Sequence, residues 1–310
     1  MSRLRLIGAT VTGLALALSL TACGANDDPL AEETTSGGSS GGAVTVGSAN
    51  FAESELLAEI YSQALEAKGV EVKRSFNIGA RELYLKALQD GSIDLLPEYN
   101  GALLAALSAG GAPEGVSKPE DVLGALKKVL PAGTEVLEQA TAEDKDTLTV
   151  TAETAAQYNL KTIADLQPVA NKLVIGAGPE WGERYQGLKG LKEVYGLEFK
   201  EFKPLDAGGP LTVNALKDGD IQVANIFSTD SSIVTNKFVV LEDPKSLYLA
   251  ENILPLIRTE ANNPTVSGAL NAVSAKLTTE NLTANLAKVQ VDKQDTATVA
   301  KAFLTENGLV

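Results

Sequence analysis

The sequence contains no histidine and a single cysteine, Cys23. Without histidine there is no Ser-His-Asp or Cys-His arrangement, no His-ligated zinc, and not the commonest general base near neutral pH. One cysteine permits no internal disulfide and no multi-Cys metal site. Aromatics are scarce, 5% of 310 residues with one Trp, so any aromatic outside the core stands out. Basic residues are outnumbered 26 to 40, giving a formal charge of −14. A surface that acidic repels phosphate backbones and argues against nucleic-acid binding. These absences favour binding over catalysis, with no metal and no cofactor expected. What is present, 44% hydrophobic residues, suffices for one large domain or two lobes with packed cores.

The first residues read as an address. Arg3 and Arg5 form a short basic region, and residues 6–22 carry no charge. Seventeen residues diluted by Gly8, Thr10, Thr12, Gly13 and Ser19 are short for a membrane span. The stretch ends in Leu20-Thr21-Ala22-Cys23, which resembles a bacterial lipobox. That resemblance implies a signal peptide over 1–22 and a lipid anchor on Cys23, on the extracytoplasmic face of a bacterial membrane. The alternative is an ordinary signal peptide with a chance cysteine. Its removal would take the charge from −14 to −16. Residues 23–43, rich in Ser, Thr, Gly and acids, read as a flexible tether.

Beyond it, strand and helix patterns alternate. Strands are expected at 44–47, 70–76, 93–96, 147–151, 173–176, 199–202, 221–226, 238–241 and 253–257. Helices are expected at 53–68, 80–90, 162–166, 180–195 and 211–217, with three more pieces between 264 and 307. Ser117-Lys118-Pro119-Glu120 reads as a capping box with Pro119 at the first helical position, opening a helix to Val129. Thr278 and Asp295 read as N-caps and Gly308 as a stop. The alternation predicts an α/β fold with mostly parallel sheets.

The nine residues from Ala87 to Leu95, ALQDGSIDL, return 128 positions later as ALKDGDIQV, Ala215 to Val223. Each copy ends a helix on Gly and starts a strand. Each follows a Gly-containing loop (Gly79-Ala80, Gly208-Gly209) and runs into an aromatic, Tyr99 or Phe227. Any βαβ protein can reuse such a turn, but the shared surroundings suggest two similarly built lobes. Ligands in open α/β sheets sit beyond the carboxyl ends of the strands. Tyr99 and Phe227 would then face each other across one cleft, with helix N-termini at Gly79 and Gly208 offering N–H groups to an anion.

Several motifs resemble the glycine betaine/choline-binding lipoproteins of osmoprotectant ABC importers. They are Ser48-Ala49-Asn50-Phe51-Ala52-Glu53, Leu96-Pro97-Glu98-Tyr99-Asn100-Gly101 and Glu180-Trp181-Gly182-Glu183-Arg184, with Gly187-Leu188-Lys189-Gly190-Leu191, Phe227-Ser228-Thr229-Asp230 and Val289-Gln290-Val291-Asp292. The resemblance implies a two-lobed type II periplasmic-binding-protein fold that closes like a hinge on a small ligand and hands it to an ABC permease. It implies crossings near 144–149 and 241–250, a first lobe of 44–145 plus 246–310, and a second of 146–245. A monomer is expected.

The family site pairs an aromatic box for a trimethylammonium group with a cationic or polar patch for a carboxylate. Carried onto this chain, the box keeps Tyr99, with Phe227 as a second wall. Asp146 and Glu251 stand where family tyrosines are expected. Arg184 matches the family arginine, Ala49 replaces a lysine found in some members, and Asn100 replaces a usual threonine. Asn50, Phe51, Gly79, Ala80, Trp181, Ser228, Thr229 and Asp230 complete the expected ligand-binding set. Half a cage turned to carboxylate points to a cationic ligand, choline-like or a primary amine, ahead of glycine betaine. Plainer roles stay open: core packing for Trp181, an ion pair with Glu180 for Arg184, an N-cap for Asp230, N–H acceptance for Glu98. Tyr61, Tyr84, Tyr158 and Tyr195 fit structural positions. The competing functions are an enzyme on the same scaffold, which the missing histidine opposes, and a ligand-sensing lipoprotein without transport.

Overall fold

The structure, a computed structural model, describes residues 42–310 except 109, 110, 112 and 114. The expected signal peptide, Cys23 anchor and nearly all of the tether lie outside the described residues. Ten strands form two five-stranded sheets. β1 (Val44–Gly47), β2 (Val72–Ser75), β3 (Leu95–Tyr99), β4 (Thr134–Val136) and β10 (Ile253–Arg258) make the first, in the order β2-β1-β3-β10-β4. β5 (Asp146–Val150), β6 (Val174–Ala177), β7 (Glu201–Pro204), β8 (Val223–Phe227) and β9 (Val239–Leu241) make the second, in the order β7-β6-β8-β5-β9. This is the expected α/β, two-lobed architecture.

The two sheets share one plan. In each, three strands are parallel, and the fourth and fifth positions carry antiparallel pairs, so the sheets are mixed. The sequence echo falls on matched places: the Ile93 and Ile221 amides donate to the Ala87 and Ala215 carbonyls, each at 3.2 Å. Gly91 and Gly219 hold φ of 79° and 80°, the left-handed conformation that glycine adopts at least cost. Matched glycines also lie at the C-terminal ends of β1 and β6. A Cβ on Gly47 would lie 2.7 Å from Ile93 Cδ1, and one on Gly176 2.6 Å from Ile221 Cδ1. Isoleucine side chains packed over both glycines leave no room for a Cβ unless those side chains shift.

The helix Ala52–Glu66 buries Leu56, Leu57, Ile60 and Leu65 against the C-terminal helices Pro264–Ser274 and Thr296–Glu306. Full burial of such side chains contributes about 1.5–3 kcal/mol each before entropy is counted. Thr278 and Asp295 cap the last two helices as expected.

Three readings need correction. The Ser117 capping box does not form: Pro119 takes the first helical position, as expected, which makes Lys118 and not Ser117 the N-cap. The single helix expected over 180–195 is broken into a 3-10 turn Pro179–Gly182, a wide turn Tyr185–Lys189 and an α-helix Gly190–Tyr195. A Cβ at Gly187 or Gly190 would collide with the Trp181 or Tyr185 carbonyl oxygen, so these glycines serve a folded-back turn. Helices Asn100–Leu107 and Ala152–Tyr158 were not legible as such, since the first is buried nearly all round and the second buries nothing.

Candidate functional site

β3 and β8 end on Tyr99 and Phe227, and the loop after β1 supplies Phe51. The Phe51 ring lies 6.2 Å from Tyr99 and 5.1 Å from Phe227, centroid to centroid. Aromatic groups from both sheets therefore meet in one cluster beside a cavity of about 60 Å³. Of the expected residues, Asn50, Phe51, Ala80, Tyr99, Asp146, Trp181, Arg184, Phe227 and Glu251 line that cavity. Trp181 does both jobs considered for it. Its ring is buried and stacks on Phe202 at 6.5 Å, yet it also faces the cavity. Its N–H makes no hydrogen bond within the protein.

Five expected residues stand off the wall, each for a structural reason. Gly79 makes the turn before the helix Arg81–Gln89, with φ 133°, and packs on Leu83. Asn100 pins the return to β10: Oδ1 accepts the Asn252 N–H at 2.9 Å and Nδ2 donates to Gln139 at 2.9 Å. Ser228 Oγ donates to Asp144 at 3.1 Å. Thr229 donates its hydroxyl to Glu53 at 2.6 Å and its N–H to Asp144 at 3.0 Å. Asp230 caps the short helix Ser231–Thr235 and accepts from Gln290 Nε2 at 2.8 Å. Thr229 and Asp230 instead line a larger groove, about 490 Å³, that shares Phe51 and Phe227 with the cavity. An anion site at the helix beginning near Gly208 is ruled out by the chain itself. Asp206 accepts the Leu211 and Thr212 N–H groups at 3.0 and 2.9 Å and fills that N-terminus.

Sequence reasoning missed Arg81, Tyr84, Asp144 and Asn225, all on the cavity wall. Arg81 is buried and holds Glu98 in a bidentate pair, at 2.8 and 3.0 Å. Tyr84 O–H donates to Glu98 at 2.7 Å, and the Tyr99 N–H also donates to Glu98, at 2.8 Å. Glu98 is thus fully satisfied, in the N–H-accepting role considered for it. Its neighbour Tyr99 donates its hydroxyl to Glu53 at 2.7 Å. The signal for Tyr84 was present, three residues after an arginine on the same helix, but a tyrosine in a helical stripe reads first as core.

The acidic residues lie on the two crossing segments, which run side by side. Asp144 N–H donates to the Glu251 carbonyl and Ile253 N–H to the Ala142 carbonyl, each at 3.1 Å. Glu251 accepts from Gln186 Nε2 at 2.7 Å and the Ala102 N–H at 3.1 Å. Asp146 accepts from Asn225 Nδ2 at 2.7 Å. Burial raises the pKa of Asp146 and raises that of Glu251 well above the carboxylate range, with Asp146 adding repulsion to Glu251. Burial likewise raises Glu53 and Asp144, and the Glu53 charge pushes Asp144 up further. Among the described residues neither Asp146 nor Glu251 has a Lys or Arg at ion-pair distance. Both cavity arginines are engaged with protein carboxylates: Arg81 with Glu98, and Arg184 with Glu82 at 3.0 and 2.9 Å. Arg184 therefore forms an ion pair, as its plainer reading held, with Glu82 in place of Glu180.

Comparison with known proteins agrees with this geometry. Residues 42–306 match the family described as the substrate binding domain of ABC-type glycine betaine transport systems. The chain belongs to that family. Its members are solute-binding components of ABC transport systems, which work with a membrane permease. Among similar proteins, a carnitine transport binding protein of Listeria monocytogenes is 28% identical over 87% of this chain and 89% of its own. A glycine-betaine-binding protein of Pseudomonas aeruginosa is 24% identical over 86% and 88%. A solved structure described as a glycine betaine/carnitine/choline ABC transporter superposes with a TM-score of 0.66, at 23% identity, over 86% of this chain and 99% of that one.

Proposed function

We propose that this protein is the extracytoplasmic receptor of an ABC importer for a small amine whose charge is a net +1, choline-like in preference to glycine betaine. One observation carries the preference. Asp146 and Glu251 line the cavity without a cationic partner, while both arginines there are already paired. A cation entering between them would offset two buried carboxylates that make no ion pair within the protein. The Phe51, Tyr99 and Phe227 cluster beside the cavity adds ring faces for a trimethylammonium group, worth about 0.5–2 kcal/mol each when desolvated. A zwitterion would bring a carboxylate into a space with no free guanidinium to receive it. Membership of a quaternary-amine transport family supports the same class of ligand.

The same reading assigns residues 44–145 with 246–310 to one lobe and 146–245 to the other, closing on the ligand as a monomer. It places the protein on the membrane through lipid on Cys23, with 23–43 as tether. The test is calorimetric titration of the mature chain with choline, glycine betaine and carnitine. Choline should bind tightest. Equal or tighter binding of glycine betaine would overturn the preference.

A further inference from the structure

Arg184 stands on the cavity wall, and its guanidinium is the shape-matched receptor for a carboxylate. Here a carboxylate of the chain itself takes that place. Glu82, in the helix Arg81–Gln89 of the first sheet's layer, receives Nε and Nη2 of Arg184 from the opposite side, at 3.0 and 2.9 Å. The pair joins residues 102 positions apart, and the hydrogen bond and charge of Arg184 lower the pKa of Glu82 despite its partial desolvation.

We propose that Glu82 is a specificity-determining positioning residue: by occupying Arg184 it excludes ligands that carry a carboxylate. This rests on the cation reading above and names its mechanism. Burial separates this role from simple stabilisation. The Glu82 side chain is 57% exposed, and Arg184 23%, so the pair contributes little to folding. Its effect falls on the cavity. An intramolecular carboxylate acts at an effective concentration in the millimolar range or above, so a ligand carboxylate must displace it. The displaced Glu82 would then leave a second anion beside the incoming one. A cation without a carboxylate meets no such competitor, and the Glu82 charge screens it from the Arg184 charge.

The experiment is calorimetric titration of the full mature chain and its Glu82→Gln variant with choline and glycine betaine. Glutamine keeps the size and removes the charge, and at an exposed position it leaves the fold intact, which circular dichroism checks. Opposite responses are expected. Choline should weaken about threefold to tenfold, because Arg184 is now an unscreened cation on the wall. Glycine betaine should tighten about tenfold, because Arg184 is now free. The double variant Glu82→Gln/Arg184→Met should lose the gain for glycine betaine. Both ligands weakening together would make the pair a closing contact only and overturn the proposal. So would an unchanged glycine betaine affinity, or a gain that survives loss of Arg184. If the unmodified protein already prefers glycine betaine, the cation reading fails and this proposal with it. If it prefers choline and Glu82→Gln leaves the ratio unchanged, this proposal fails alone.

Discussion

A carboxylate buried beside a cavity with no cation holds its proton more tightly than one in water. Asp146 and Glu251 are both raised, chiefly by burial. A cationic ligand favours their ionised forms, so binding must expel whatever proton they hold. The sign follows. As pH falls toward the ordinary carboxylate range near 4, a growing share is protonated and cation affinity drops. Titrations in two buffers of different ionisation enthalpy should show protons released on binding choline. Glu251→Gln should weaken choline by roughly tenfold or more and flatten that pH dependence. An affinity constant from pH 8 to 5, with no protons released, would show that these carboxylates do not face the bound charge.

Elements were easier to read than their joints. The strands other than the three-residue β4, the three C-terminal helices and the twofold plan were legible because period-2 and period-3.6 patterns, Gly stops and Thr or Asp caps are local signals. The break at 179–195 was not, because Gly187 and Gly190 are demanded by carbonyl oxygens that only the folded turn brings near. Nine of fourteen site residues reached the cavity, but Arg81 and Tyr84 were missed because their partner Glu98 lies on another element. The shared plan makes its own prediction. Gly47→Ala and Gly176→Ala should each destabilise by about 1–3 kcal/mol in denaturant unfolding. Ile93→Val removes the Cδ1 that a Gly47 Cβ would strike, leaving its nearest remaining neighbour at 3.1 Å, so it should recover much of the loss. Ile221→Val should recover less at Gly176, where Leu205 Cδ1 still stands 2.9 Å away. Equal recovery at both sites would mean that the backbone, and not these methyl groups, absorbs the added carbon.

At the scale of the whole molecule, hydrogen bonds beside the larger groove join the two sheets' layers. Thr229, after β8, donates to Glu53 at the start of the helix Ala52–Glu66; Gln290, in the C-terminal helical layer, donates to Asp230 and accepts from Ser231. Glu53 is the meeting point. It is buried, accepts hydroxyl hydrogen bonds from Tyr99 of one sheet and Thr229 beside the other, and lies against Asp144 on the crossing segment. Opening the lobes would let water replace these donors, so the closed state alone depends on them. Thr229→Val keeps the shape and removes one donor from a buried carboxylate, a loss of about 1–3 kcal/mol borne only when closed. Without ligand, small-angle scattering should then show a larger radius of gyration than for the unmodified chain. Apparent affinity should fall about 5- to 100-fold although Thr229 does not line the cavity, because the competent state is less populated. An unchanged radius together with unchanged affinity would mean that the Phe51–Phe227 and Arg184–Glu82 contacts suffice to set closure without the Glu53 junction.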